Sequence, residues 1–232
     1  MVITLSRQAE AGGEEIAELL CQRAGLVLAD RAVLERIAQR EGLPVAQLAI
    51  FDETAPGPIR AVFAEWRAPI NQDTYLRQLV QVLLLLERED NTVIMGRGAA
   101  FALSDPGTLH VRVIAPIPCR IARLVQREGL HRAQALRLLE ANDEARARFI
   151  RRSFNADIAD PSHYDLTSST AELSTEDAAE AVLGAAGAKS RRRWASPEAP
   201  RDLVAHVMRF RRQPGLPRVS ETVWRRCERQ GG

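Results

Sequence analysis

Apolar residues recur along the 232-residue chain in two alternating rhythms. Short, β-branched, continuously apolar runs predict buried strands at Val2–Leu5, Thr92–Met95, Thr108–Ala115 and Tyr164–Ser168. Between them the spacing shifts to that of helices. Gly13–Ala24 carries Ile16, Ala17, Leu19, Leu20 and Ala24 on one stripe. Asp30 is placed to cap a helix through Arg40 that ends at Gly42, and Pro44–Phe51 reads as a further short helix before Pro56-Gly57-Pro58. Gln72–Glu89 repeats Leu76, Leu79, Val80, Leu83 and Leu84 inward. Cys119–Arg127, His131–Phe154 and Ser174–Ala186 complete the predicted helices, the first of them following Pro116 and Pro118.

Strands that alternate with helices predict a parallel sheet covered on both faces. Ligands of such folds bind at the carboxyl ends of the strands. Two glycine turns fall at that edge: Gly12-Gly13 after the first strand and Gly96-Arg97-Gly98 after the second.

Composition narrows the class. Hydrophobic residues make up 46% and charged residues 27% of the chain, an ordinary globular balance. Cys21, Cys119 and Cys227 lie far apart without a CxxC, against a zinc site or a disulfide scaffold and in keeping with a reducing cytosol. The longest apolar run, Val82–Leu86, is too short to span a bilayer, and Met1 leads straight into a strand; the expected location is cytoplasmic, with no membrane partner.

The net charge of +2 conceals a division. Residues 188–232 hold 12 Lys/Arg and 4 Asp/Glu, net +8, whereas the 187 residues before them are net −6. Lys189 is the single lysine, so cationic chemistry in the body falls to arginine. Arginine suits phosphate, because its planar fork bonds two oxygens at once. Arg97 sits in the second glycine turn. Arg120 and Arg123 are three apart on one helix, and Asp143, Arg146, Arg148, Arg151 and Arg152 lie along the long charged one. A helix that brings arginines over phosphates would act as a lid. An arginine-rich helix also reads as a solvated face, and paired glycines after a strand are a weak signal alone.

In this order, the segments VITLSRQAEAGGEEIAELL, VIMGRGAAFAL, LHVRVIAPIPCRIARLVQREG, NDEARARFIRRSF and YDLTSSTAELSTEDAAEAV resemble the cytidylate kinase-like family of P-loop nucleoside monophosphate kinases. The resemblance covers residues 1 to about 187. It implies a five-stranded parallel sheet in a three-layer arrangement, an acceptor-binding insertion over about 30–90, a lid over about 131–160, ATP as donor, CMP or dCMP as acceptor, and Mg2+ bridging the donor phosphates. By position it implies that Gly12 and Gly13 line the donor phosphate loop, and Ser6, Arg7 and Glu14 of the same stretch are read as further ATP-phosphate-binding residues. It further implies that Asp30 and Arg97 serve the acceptor, that Arg146 and Arg151 are lid arginines, and that Asp143 positions them or the acceptor; Arg7 is read with Arg146 and Arg151 as catalytic.

The loop departs from the family pattern. A full P-loop reads GxxxxGK[ST], and the cytidylate kinase-like group commonly has Gly-Ser-Gly-Gly here; this chain has Glu10-Ala11-Gly12-Gly13, then Glu14. A glutamate about 4 Å from a phosphate oxygen would cost on the order of 4 kcal/mol at an effective dielectric near 20. Two compensations are available: Arg7 could supply the charge of the absent lysine, and Glu14 could hold Mg2+ where a hydroxyl usually does. The alternative is a catalytically inactive member that binds nucleotides or a regulatory partner.

Residues 188–232 have no counterpart in the resemblance. KSRRRW reads as a linker, followed by short amphipathic segments at Pro200–Gln213 and Ser220–Arg229. Arginines interspersed with Trp194, Phe210 and Trp224 could bind nucleic acid. The spaced Leu, Val and Trp favour packing on the acidic body or on a second subunit of a homodimer.

Overall fold

A computed structural model describes residues 1–29 and 72–195. Asp30, the helices expected before residue 72 and the segments beyond residue 195 lie outside the described residues.

Five strands form one parallel sheet: β1 (Val2–Arg7), β2 (Val27–Ala29), β3 (Thr92–Met95), β4 (Thr108–Ile114) and β5 (Leu166–Ser169), in the spatial order β2-β3-β1-β4-β5. β1 lies at the centre, Leu5 opposite Met95 on one side and Val111 on the other. The chain order reverses across β1, which makes its carboxyl end the switch point of the sheet.

Six helices are described: α1 (Gly13–Ala24), α2 (Gln72–Glu89), α3 (Ala99–Ala102), α4 (Ile117–Glu128), α5 (Arg132–Phe154) and α6 (Thr175–Ala195). Alternate strand residues serve opposite faces. Val2 and Ile94 pack with Leu79, Val82 and Leu83 of α2 and with Ile150 and Phe154 of α5. Ile3, Leu5, Val93, Val111 and Val113 pack with Ile16 and Leu20 of α1 and Val182 of α6. A third cluster, Ile121 and Leu124 with Ala135 and Leu139, ties α4 to α5 and closes over Ala9. A sheet buried on both sides explains why its strands read as continuous apolar runs.

Several elements differ from the sequence reading. β2 was not foreseen: it is an edge strand of three residues whose Val27 is 58% exposed, too short to carry a periodicity. The four-residue α3 was missed for the same reason. α4 starts two residues earlier than expected, because Pro118 sits in its first turn, where a missing N–H costs nothing. β5 begins at Leu166 rather than Tyr164, since Pro161–His163 form a turn of 3-10 helix that holds the Tyr164 amide. The expected linker at Lys189–Trp194 is helical: α6 continues without a break to Ala195, as no glycine or proline interrupts it after Gly187.

After β3 the chain makes an unusual turn. Gly96, Arg97 and Gly98 all have positive φ, at 66°, 57° and 69°. Arg97 in this conformation costs about 1–2 kcal/mol. At Gly98 a Cβ would come within 2.3 Å of the Phe154 ring, so α5 packs directly on the turn's backbone.

Candidate phosphate loop and acceptor cleft

Residues 8–12 carry the chain from β1 into the amino end of α1, and side chains from three other elements fasten them. The Gln8 amide donates to Val113 O at 3.0 Å, and its side-chain oxygen accepts from Ala115 N at 3.1 Å. Arg120 of α4 donates to Ala9 O, Arg123 donates to Glu10 O, and the Thr170 hydroxyl donates to Ala11 O, at 3.2, 3.2 and 2.8 Å. Arg123 also reaches both Oγ1 and O of Thr170, at 2.9 and 2.8 Å. Three successive carbonyls are thus held by donors outside the loop. The first amides of α1 have no partner within their helix, and Gly12 at the cap offers no side chain. An N-terminus of this kind favours anions.

Asp143 of α5 locks the loop from a second direction. One carboxylate oxygen accepts from Ala9 N at 3.0 Å, and the other accepts from Arg120 Nη1 at 2.5 Å. Arg120 is 5% exposed and additionally donates to Ala115 O at 2.9 Å. Its bonds hold the framework. Asp143, expected from the resemblance to position the lid arginines or the acceptor, joins α5 to the loop here, and Arg146 lies 4.0 Å from it.

The two glutamates take different directions. Glu10, at φ 59°, turns its carboxylate to Arg127 of α4 at 2.9 Å. Burial raises its pKa above the ordinary carboxylate range against the pull of Arg127. Glu14 lies across the site instead: its carboxylate accepts from Arg7 Nε at 3.0 Å and from its own backbone N–H. Burial alone would raise the Glu14 pKa, but Arg7, that N–H and the charge of Arg146 bring it below the ordinary value. Gly13 permits the pair, because a Cβ there would meet Arg7 Cβ and Cγ at 2.8 Å. Arg7 is therefore positioned over the start of α1, with an internal carboxylate against it.

Beside the loop a small cleft, open in part to solvent, lies at the carboxyl ends of β1 and β3. Ser6 and Arg7 form its floor, Gly96, Gly98 and Phe101 one wall, and Arg146, Ile150 and Ile158 the other. Arg146 is 5% exposed and donates to Arg7 O at 3.3 Å. Arg97, 8% exposed, occupies the turn at the cleft's edge. Of the expected site residues, the structure brings together Ser6, Arg7, Gly12, Gly13, Glu14, Arg97, Asp143 and Arg146. Arg151 stands apart: it is exposed and does not line the cleft, because five residues along a helix turn it well away from the face of Arg146.

Glu14, expected as a magnesium ligand, gives one carboxylate oxygen, Oε1, to Arg7 Nε at 3.0 Å. Among the described residues no three His, Cys, Asp or Glu side chains converge as a metal site. The sequence reading also passed over Gln8, Thr170 and Tyr164. The first two fasten the loop; Tyr164 backs the cleft, its ring edge-on to Phe101 at 6.0 Å. Their signal was absent because single polar residues beside strands carry no periodicity.

Comparison with known proteins gives the family and the fold. The model of the cytidylate kinase-like family matches residues 2–172, and the chain belongs to that family. It is 26% identical over 112 residues to a cytidylate kinase of Sulfolobus acidocaldarius, a match that takes in 48% of this chain and 61% of that one. The match thus spans about three-fifths of that relative's length. Among solved structures, an uncharacterized protein from Eubacterium ventriosum superposes with a TM-score of 0.61 at 18% identity, covering 81% of this chain and 98% of that one. A gluconokinase from Sinorhizobium meliloti gives 0.50 at 13% identity, covering 85% and 97%. The fold is that of the P-loop kinases. No helix among the described residues is long and apolar enough to cross a membrane.

Proposed function

We propose that this chain is a nucleoside monophosphate kinase that transfers the γ-phosphate of ATP to CMP or dCMP. The observation that carries the reading is the bond from Arg146 Nη1 to Arg7 O at 3.3 Å, which sets two arginines in the lining of the cleft. In this reading the α1 amides and Arg7 hold the donor phosphates, and the cleft between the Gly96–Gly98 turn and α5 holds the acceptor. An acceptor phosphate oxygen attacks the γ-phosphorus as the bond to the β-bridging oxygen breaks, releasing ADP. Arg146 meets the charge that spreads over the equatorial oxygens. The single lysine has no part in this, since its ammonium bonds Asp165 at 2.5 Å. Magnesium would accompany the donor nucleotide, as the family implies, and would neutralise charge on its phosphates; the steps above concern only the residues of this chain.

Arg146→Ala tests the reading. Arginines that meet transition-state charge contribute about 10³–10⁵ in rate, so turnover is expected to fall by about that factor. Binding of CMP is expected to change much less. An unchanged rate removes Arg146 from the chemistry.

A second reading rests on Glu14. A carboxylate that already bonds Arg7 and the α1 amide supplies the negative charge that a donor phosphate would bring, as suits a nucleotide-binding or regulatory module without turnover. Restoring Gly-Ser-Gly-Gly at residues 10–13 together with Glu14→Gln separates the two. Activity gained only in that variant supports an inactive natural protein.

A further inference from the structure

Four arginines in the described residues are 5–8% exposed: Arg97, Arg112, Arg120 and Arg146. Arg120 illustrates how such a charge is normally accommodated, with a carboxylate at 2.5 Å and two backbone carbonyls at 2.9 and 3.2 Å. Arg112, on β4, is different. Among the described residues no carboxylate lies against it. Its contacts are long and neutral: Nη1 is 3.4 Å from Ser6 Oγ and 3.3 Å from Tyr164 Oη, with the guanidinium carbon 5.5 Å from the centre of the Tyr164 ring. A buried guanidinium costs several kcal/mol unless a counter-charge meets it. Two hydroxyls and a ring at these distances return only part of that.

The location indicates what supplies the rest. Arg112 lies opposite Ser6 in the sheet, and Ser6 is part of the cleft floor. Tyr164 donates its O–H to Ile158 O at 3.0 Å and sets its ring against Phe101, and Ile158 and Phe101 both line the cleft. Each group that touches Arg112 therefore also touches a cleft wall or belongs to one.

We propose that Arg112, Ser6 and Tyr164 form an anion subsite beneath the cleft floor that receives a phosphomonoester of the acceptor. The proposal rests on the phosphotransferase reading for the identity of that acceptor. It adds a residue that neither glycine turn nor the charged helix marks. The subsite selects for a phosphorylated acceptor over its nucleoside, since only the former brings a counter-charge to Arg112, and the planar fork pairs two phosphate oxygens.

Calorimetric binding of CMP, cytidine and inorganic phosphate to the full chain and to Arg112→Met tests it. Methionine keeps the packing of the stem without the charge. The variant is expected to melt at or above the wild type without ligand. CMP affinity is expected to fall by about ten- to a hundredfold, as for loss of a charge-assisted contact, and cytidine affinity to hold. An unchanged preference for CMP over cytidine overturns the proposal. Should the wild type ignore CMP and dCMP yet bind phosphate in a manner lost in Arg112→Met, the subsite stands and the cytidylate reading falls. If the wild type binds neither CMP nor phosphate, the subsite itself is wrong. Should Arg112→Met fail to fold, Arg112→Lys, which keeps the charge and loses the fork, is expected to bind CMP at least about fivefold more weakly. Full affinity in that variant counts against the proposal.

Discussion

Glu14 sets its carboxylate 3.0 Å from Arg7 Nε and also accepts its own backbone N–H, so an anion from the chain occupies the entrance to α1. A donor phosphate must displace it or share Arg7 with it. Glu14→Gln keeps the size and removes the charge. It is expected to tighten ATP binding about tenfold at pH 7, the scale of one charge-assisted contact. Because the Glu14 pKa lies below the ordinary carboxylate value, the wild-type protein stays in the charged, paired form until the pH falls below about 4.5. The difference between the two proteins is therefore expected to persist from pH 8 to pH 5 and to shrink below that. Equal affinities at pH 7, by calorimetry, would show that Glu14 does not compete.

Asp143 joins α5 to the loop through Ala9 N and Arg120. Asp143→Ala leaves Arg120 buried with backbone carbonyls alone and frees the Ala9 amide. The expected cost is about 2–4 kcal/mol in denaturant unfolding, within the range for breaking a buried, charged hydrogen-bond pair. Asp143→Asn, which keeps an acceptor for one donor, is expected to recover part of this. A loss below 0.5 kcal/mol in Asp143→Ala would mean that the pair is dispensable.

The Gly96-Arg97-Gly98 turn depends on the close approach of Phe154. Gly98→Ala places a methyl group against that ring and forces alanine to a φ of 69°. Overpacking and the left-handed conformation together are expected to cost about 2–5 kcal/mol. Phe154→Leu in the same chain is expected to return part of it. Thermal melts of the single and double variants measure both.

His110 is a half-buried titratable group with a stability signature. Its Nδ1 lies 2.8 Å from Thr4 Oγ1; burial and then the Lys189 ammonium lower its pKa to about 4, against an opposing pull from Asp165. The unfolded chain takes up this proton near pH 6.5, whereas the folded chain does so only near pH 4. Stability is therefore expected to fall as the pH drops through that window, by up to about 1.4 kcal/mol per pH unit. His110→Gln, which cannot titrate, is expected to flatten the slope. An identical slope in the variant assigns the acid sensitivity to other groups.

How much of this could be read from the chain depends on the kind of signal each part leaves. Val2–Leu5 and Gly13–Ala24 were legible because burial on a sheet face and on a helix stripe writes a period into the sequence, and the glycines between them marked the turn. β2 left no such trace in three residues, and the arginine run after Lys189 suggested a linker although nothing in it breaks a helix. The chemistry of the charges was harder. Arg120, Arg123 and Asp143 read as phosphate-handling groups, yet the first two fasten the loop's carbonyls and the third holds its amide. That Glu10 turns to Arg127 while Glu14 turns to Arg7 is a matter of rotamers and neighbours distant in sequence, which no spacing encodes. Arg112 was invisible for the converse reason: within an apolar strand an isolated arginine gives no sign of whether it is buried.

The central claim, phosphoryl transfer to a cytidine monophosphate, is tested most directly by one incubation. The purified protein is mixed with ATP, magnesium and equal amounts of CMP, dCMP, UMP, AMP and GMP, and every nucleotide is quantified by chromatography. The account expects CDP or dCDP to appear in step with ADP while the purine monophosphates remain. No diphosphate from any acceptor, with a working cytidylate kinase run in parallel, would contradict it.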